Sequence, residues 1–114
     1  MRHNSDFRYD LEVGQSKENE LAALLQGNKL EVKYDQRALE TGNIFVEYES
    51  RNKPSGIATS EAEWYCYAFG DNFHLIPARK LKTLCRKYIG TNRDTRGGDS
   101  NTSKGILLPI SELL

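Results

Sequence analysis

Two short runs of alternating residues constrain this chain more than any other feature. In "KLEVKYD", Leu30, Val32 and Tyr34 alternate with Glu31, Lys33 and Asp35; in "NIFVEYES", Ile44, Val46 and Tyr48 alternate with Phe45, Glu47 and Glu49. A period of two marks a strand with one face turned to a core. The connector between the runs contains Thr41-Gly42-Asn43, which suits a turn, so an antiparallel pair is the simplest arrangement. With the apolar residues inward, the opposite face carries Glu31, Lys33, Asp35, Glu47 and Glu49, and Glu47 falls across from Lys33.

A chain of 114 residues supports one hydrophobic core, so a single domain is expected. Sixteen Lys and Arg balance sixteen Asp and Glu, so a nucleic acid would have to be met by local patches rather than by an overall positive field. No apolar run is long enough to span a membrane, and "MRHNSDFRYDLEVG" lacks the apolar centre of a secretion signal. A cytoplasmic protein without a membrane partner is the resulting expectation. Cys66 and Cys85 read as reduced, buried thiols, and the absence of a Cys or His cluster argues against structural zinc. His3 and His74 are isolated and are assigned no catalytic or ligand role.

Around the two runs the pattern predicts a small mixed β-sheet flanked by helices, an α/β fold. "SKENELAALLQG" reads as a first helix, capped by Ser16, with a stripe of Leu21, Leu24 and Leu25 before Gly27. Ser60 and Glu63 resemble a capping box opening a second helix, "EAEWYCYAFG", which buries Trp64, Tyr65, Ala68 and Phe69. The aromatics Trp64 and Tyr65 suit either this core or stacking on a splayed base. "NFHLIPA" reads as a short strand, and Pro77 as the start of a third helix, "ARKLKTLCRKYIG". That helix turns Leu81, Leu84, Cys85 and Tyr88 inward and Lys80, Lys82, Arg86 and Lys87 outward. Residues 1–13 are expected to be a flexible N-terminal segment and 91–105 a mobile loop, with "ILLPISELL" adding a final strand or packed tail.

Several carboxylates brought together in a partly buried site cost on the order of several kcal/mol unless something positive joins them. Magnesium or manganese would do so, since hard oxygen ligands suit both. A neighbouring ammonium such as Lys33 can orient a water or neutralise charge building on a phosphate. Carboxylates, a divalent ion and a lysine together point to phosphodiester hydrolysis. The same alternation also describes an ordinary solvated sheet face with cross-strand ion pairs.

The order of a helix bearing an acid, a strand ending in Asp and a strand carrying Glu resembles the PD-(D/E)XK nuclease superfamily. The likeness runs from about Gly14 to Phe69, and "TGNIFVEYESRNKPSGIATSEAEWY" looks like small phage-encoded members. It implies a restriction-endonuclease-like core (αβββαβ) and a magnesium-dependent DNA endonuclease, with manganese as a substitute, acting on branched or single-stranded DNA. It implies no small-molecule cofactor, a homodimer that presents two sites to two strands, and host cytoplasm if phage-encoded.

Carried onto this sequence, Asp35 and Glu47 would hold the metal and Glu18 would support it, Glu20 being the competing acid on that helix. "VEYESR" departs from the pattern by placing Glu49 at the usual lysine position. Glu49 would then be a further ligand or base, with Lys33 supplying the migrated lysine. "EVK" at Glu31 to Lys33 is the alternative alignment of the motif, and a catalytically inactive DNA- or protein-binding module is the alternative function. Ser55 and Thr59 beside the site, and Lys80, Lys82, Arg86, Lys87, Arg93 and Arg96 further along, are the candidate DNA-binding residues.

Overall fold

A computed structural model describes residues 19, 22, 23, 26, 27 and 29–114. Asn19, Ala22, Ala23 and Gln26, the described part of the first expected helix, are helical. The chain then forms β1 (Leu30–Tyr34), a short helix α1 (Ala38–Thr41), β2 (Asn43–Ser50) and β3 (Lys53–Pro54). After a 3₁₀ turn (Gly56–Ala58) come β4 (Trp64–Phe69), β5 (Asn72–Pro77), α2 (Ala78–Arg86), β6 (Asp94–Gly97), β7 (Ser103–Pro109) and a closing 3₁₀ turn (Ile110–Leu113). The fold is mixed α/β, with two sheets in place of the one expected: β1-β4-β5 and β3-β2-β7-β6. Among the described residues no helix is long and apolar enough to cross a membrane.

Three expectations are corrected by this arrangement. The first concerns the hairpin: β1 pairs in parallel with β4, whereas β2 pairs antiparallel with β3 and β7. A parallel partner demands a long crossover, and residues 35–63, with α1, β2 and β3 among them, supply it.

The second concerns "WYCYAF", which is a strand and not a helix. Held between β1 and β5, it buries Tyr65, Cys66, Tyr67 and Phe69, and because it carries apolar residues on both faces it lacks the alternation that would have identified it. Its β-favouring aromatics outweigh their helix-like spacing. Ser60 caps no helix there; its hydroxyl accepts the Ala62 N–H at 3.1 Å in a turn.

The third concerns which face of β1 is inside. Val32 and Tyr34 are 58% and 69% exposed, while Glu31 stands beside Tyr65 and Lys33 beside Tyr67, two buried rings. Neighbours in register share a face of a sheet, so the charged side of β1 is the inner side.

The third expected helix forms from Ala78, directly after Pro77, buries Leu81 and Cys85, and half-buries Leu84 and Tyr88. It packs over Ile44 and Val46 of β2, Ile106 and Leu108 of β7, and Ile76 of β5 in one core. Each of these aliphatic side chains contributes about 1.5–3 kcal/mol by leaving water. Both thiols are free and buried. The stretch expected to be a mobile loop carries β6 and the start of β7, and β7 lies in the middle of its sheet.

Candidate functional site

Glu47 sits on β2 where the chain doubles back onto the strand. The Ser55 hydroxyl donates to Glu47 Oε2 at 3.0 Å, and the Ser55 N–H donates to the Tyr48 carbonyl at 3.0 Å. Gly56 makes the approach feasible: its φ is +52°, and a Cβ there would lie 2.2 Å from the Glu47 carbonyl oxygen. Only glycine fits both the left-handed backbone and the contact. Ile57, buried in the core, anchors the turn from below.

This turn and the inner face of β1 enclose a cleft of about 210 Å³, whose wall includes Lys33, Glu47, Gly56, Tyr65 and Tyr67. Lys33 and Glu47 thus line one cleft from two sheets rather than facing each other across a hairpin. Glu31 Oε1 lies 3.9 Å from Lys33 Nζ, and Glu31 Oε2 accepts the Ser60 hydroxyl at 3.4 Å. So loose and half-exposed a pair orients the ammonium without neutralising it fully.

The Tyr65 hydroxyl is buried and has no hydrogen-bond partner of ordinary geometry. Burial foremost pushes its pKa up to about 12; Ser60 lies close enough to lower it somewhat and Glu31 to raise it. The phenol therefore remains a donor at neutral pH. Burial raises Tyr67 as well, with the charges of Glu31 and Asp35 among the smaller causes.

Asp35 closes β1 through the backbone. Its Oδ1 accepts the Arg37 N–H at 3.1 Å and its Oδ2 the Phe45 N–H at 3.4 Å, which ties the start of α1 to β2 two residues from Glu47. Glu49 takes no part in the cleft wall. A β-bulge between Glu47 and Glu49 breaks the alternation, and Glu49 stands opposite Lys104. Glu18 lies outside the described residues, as does its competitor Glu20. Among the described residues no three Asp, Glu, His or Cys side chains gather closely enough to hold an ion.

The expected basic surface is divided. Arg93 donates to Asn43 Oδ1 at 2.7 Å and to the Leu107 carbonyl at 3.0 Å, and its guanidinium lies over the Tyr88 ring. Lys87 pairs with Glu112, which also accepts the Tyr88 hydroxyl. Both cations thus join parts of the fold. Lys82 and Arg86, one turn apart on α2, border a separate cavity of about 300 Å³ floored by Val46 and Ile106. Lys80 is exposed, and Arg96 is exposed opposite Lys104. Thr59 Oγ1 reaches the Gly56 carbonyl only at 3.5 Å.

Tyr67 lines the cleft without having been assigned to a site, Tyr65 lines it having been read as core or a base-stacking ring, and Ser60 adjoins it through Glu31. Glu31 and Lys33 were readable as neighbours on one strand face; what was hidden was the register with β4 that turns this face inward. Compared with known protein families, with curated proteins and with solved structures, the chain matches none.

Proposed function

We propose that this chain is a magnesium-dependent hydrolase of DNA phosphodiester bonds, built on a restriction-endonuclease-like core, with the cleft between Lys33 and Glu47 as its active site. The observation that carries this reading is that a lysine and a glutamate from different sheets line one cleft together with a buried phenol that makes no hydrogen bond of ordinary geometry. An anionic phosphoryl oxygen would give Tyr65 an acceptor of good geometry and Lys33 a closer counter-charge than the loose Glu31 pair.

The donor set fits a hydrated magnesium ion, which needs only one or two protein carboxylates beside water and phosphate oxygens. Glu47 offers Oε1, since its hydrogen bond from Ser55 falls on Oε2. Asp35, fixed by two backbone N–H groups near Phe45, is the second carboxylate. Magnesium, when bound, supplies positive charge that polarises the phosphoryl group. Lys33 balances negative charge growing on the phosphate and orients the attacking water, Glu31 holds Lys33 in place, and Tyr65 donates to a non-bridging oxygen. The motif element is accordingly Glu31-x-Lys33, which leaves Glu49 without a catalytic role.

The test is nicking of plasmid and branched DNA with magnesium by the parent, Lys33→Met and Glu47→Gln. Each substitution should lower the rate by roughly 100-fold or more, the scale for removing one pre-positioned charge or donor. A parent that binds DNA but never cleaves it would leave the inactive module; variants that cleave at the parental rate would place the chemistry elsewhere.

A further inference from the structure

Glu47 borders a second depression of about 450 Å³, lined also by Ser50, Arg51, Gly98 and Ser103. Glu47 thus borders both the cleft that Lys33 lines and the depression that Arg51 lines.

The backbone at this end is strained in a telling way. Ser50 pairs with Lys53, so Arg51 and Asn52 form a two-residue hairpin loop, and both have positive φ, 52° and 66°. Such a turn favours Asn, Asp or Gly; an arginine in the left-handed region opposes that preference. The other two positive-φ residues besides glycine are Ser100 and Asn101, in the loop beside it. The two loops are joined by the Arg51 N–H, which donates to the Thr102 carbonyl at 3.0 Å. The four outliers among the described non-glycine residues thus lie in two joined loops, and of them Arg51 lines the depression. The Arg51 guanidinium is exposed and has no ion-pair partner among the described residues, while Ser103 is 5% exposed.

We infer that Arg51, with the Ser50 and Ser103 hydroxyls, forms a subsite for a DNA backbone phosphate flanking the one held between Lys33 and Glu47. This rests on the nuclease reading for the position of the cleaved phosphate, but the subsite itself is a matter of binding. An unpaired guanidinium and two hydroxyls able to donate are matched to phosphate oxygens, with the Glu47 carboxylate at the edge of the same depression. The turn residue costs stability in order to place that charge.

Binding of a fluorescent DNA oligonucleotide in metal-free buffer tests this without any cleavage. Arg51→Asn should bind roughly five- to ten-fold more weakly at 0.1 M salt, and the slope of log affinity against log salt should shrink by about 0.7–0.9, the share of one phosphate. The same variant should melt at or above the parental temperature, because Asn suits the turn better. Arg51→Lys should restore the salt slope. Parental affinity or slope in Arg51→Asn, absence of DNA binding by the parent, or a lowered melting temperature in that variant would each overturn the subsite. A parent that binds through Arg51 yet shows no magnesium-dependent cleavage would end the nuclease reading and leave the subsite standing.

Discussion

Replacing Gly56 by alanine probes the turn that carries the cleft, and Gly42 provides an internal reference. Both glycines have positive φ, +52° and +74°, so an added methyl meets the same left-handed backbone penalty of about 1–2 kcal/mol. They differ in surroundings. A Cβ at Gly42 meets nothing within 4 Å, whereas at Gly56 it falls 2.2 Å from the Glu47 carbonyl oxygen and 2.9 Å from its carbon. Backbone atoms of a central strand cannot rotate aside, so the turn must lift, adding an overpacking cost of about 1–3 kcal/mol. At roughly 4 °C per kcal/mol for a domain of this size, Gly42→Ala should lower the melting temperature by about 4–8 °C and Gly56→Ala by about 8–20 °C. Thermal unfolding followed by far-ultraviolet circular dichroism measures both. Equal losses in the two variants would show that the turn does not rest on β2, and the description of the cleft would fail with it.

Two further outcomes concern pH. Tyr48 donates to Asp94 Oδ1 at 2.6 Å, and that hydrogen bond, then burial, pushes its pKa up to about 12, as burial does for Tyr65. Their contribution to stability is whole below the ordinary value of 10.0 and is lost as pH rises through about 12, so unfolding and phenolate absorbance should rise together in that window. Phenolate formation across it in a chain that stays folded would contradict the burial described. Glu112 has its pKa lowered, first by Lys87 and next by the Tyr88 hydroxyl, so its contribution is whole above the ordinary carboxylate range and vanishes as pH falls through its lowered value. Glu112→Gln should therefore destabilise in urea titrations at neutral pH and make little difference in strong acid; an equal loss at both would exclude the charge as the cause.

The parts of the fold legible in the sequence are those whose signals are local. Pro77 followed by a stripe at Leu81, Leu84, Cys85 and Tyr88 carries its own start and its own buried face, and α2 forms there. The alternation at 30–34 and 43–48 likewise marks β1 and β2. What alternation cannot supply is which side a strand buries or with whom it pairs. Val32 and Tyr34 looked internal because they are apolar, yet Glu31 and Lys33 face inward because β4 lies beside β1. Trp64, Tyr65, Ala68 and Phe69 imitate helical spacing because this strand carries apolar residues on both faces and so has no polar side to betray it. For the same reason Lys33 and Glu47 are found together, although by a cleft between sheets rather than by the expected hairpin, and Glu49 is diverted by a bulge that no residue type announces.

The longest ladder has a kinetic meaning. β2 finds β7 about sixty residues downstream, and nothing nearer can complete it. Closing so wide a loop loses chain entropy before any contact compensates, so refolding should take milliseconds to seconds rather than microseconds. Until that closure, Ile44 and Val46 remain open to other molecules, and dilution during refolding should raise the yield of native protein.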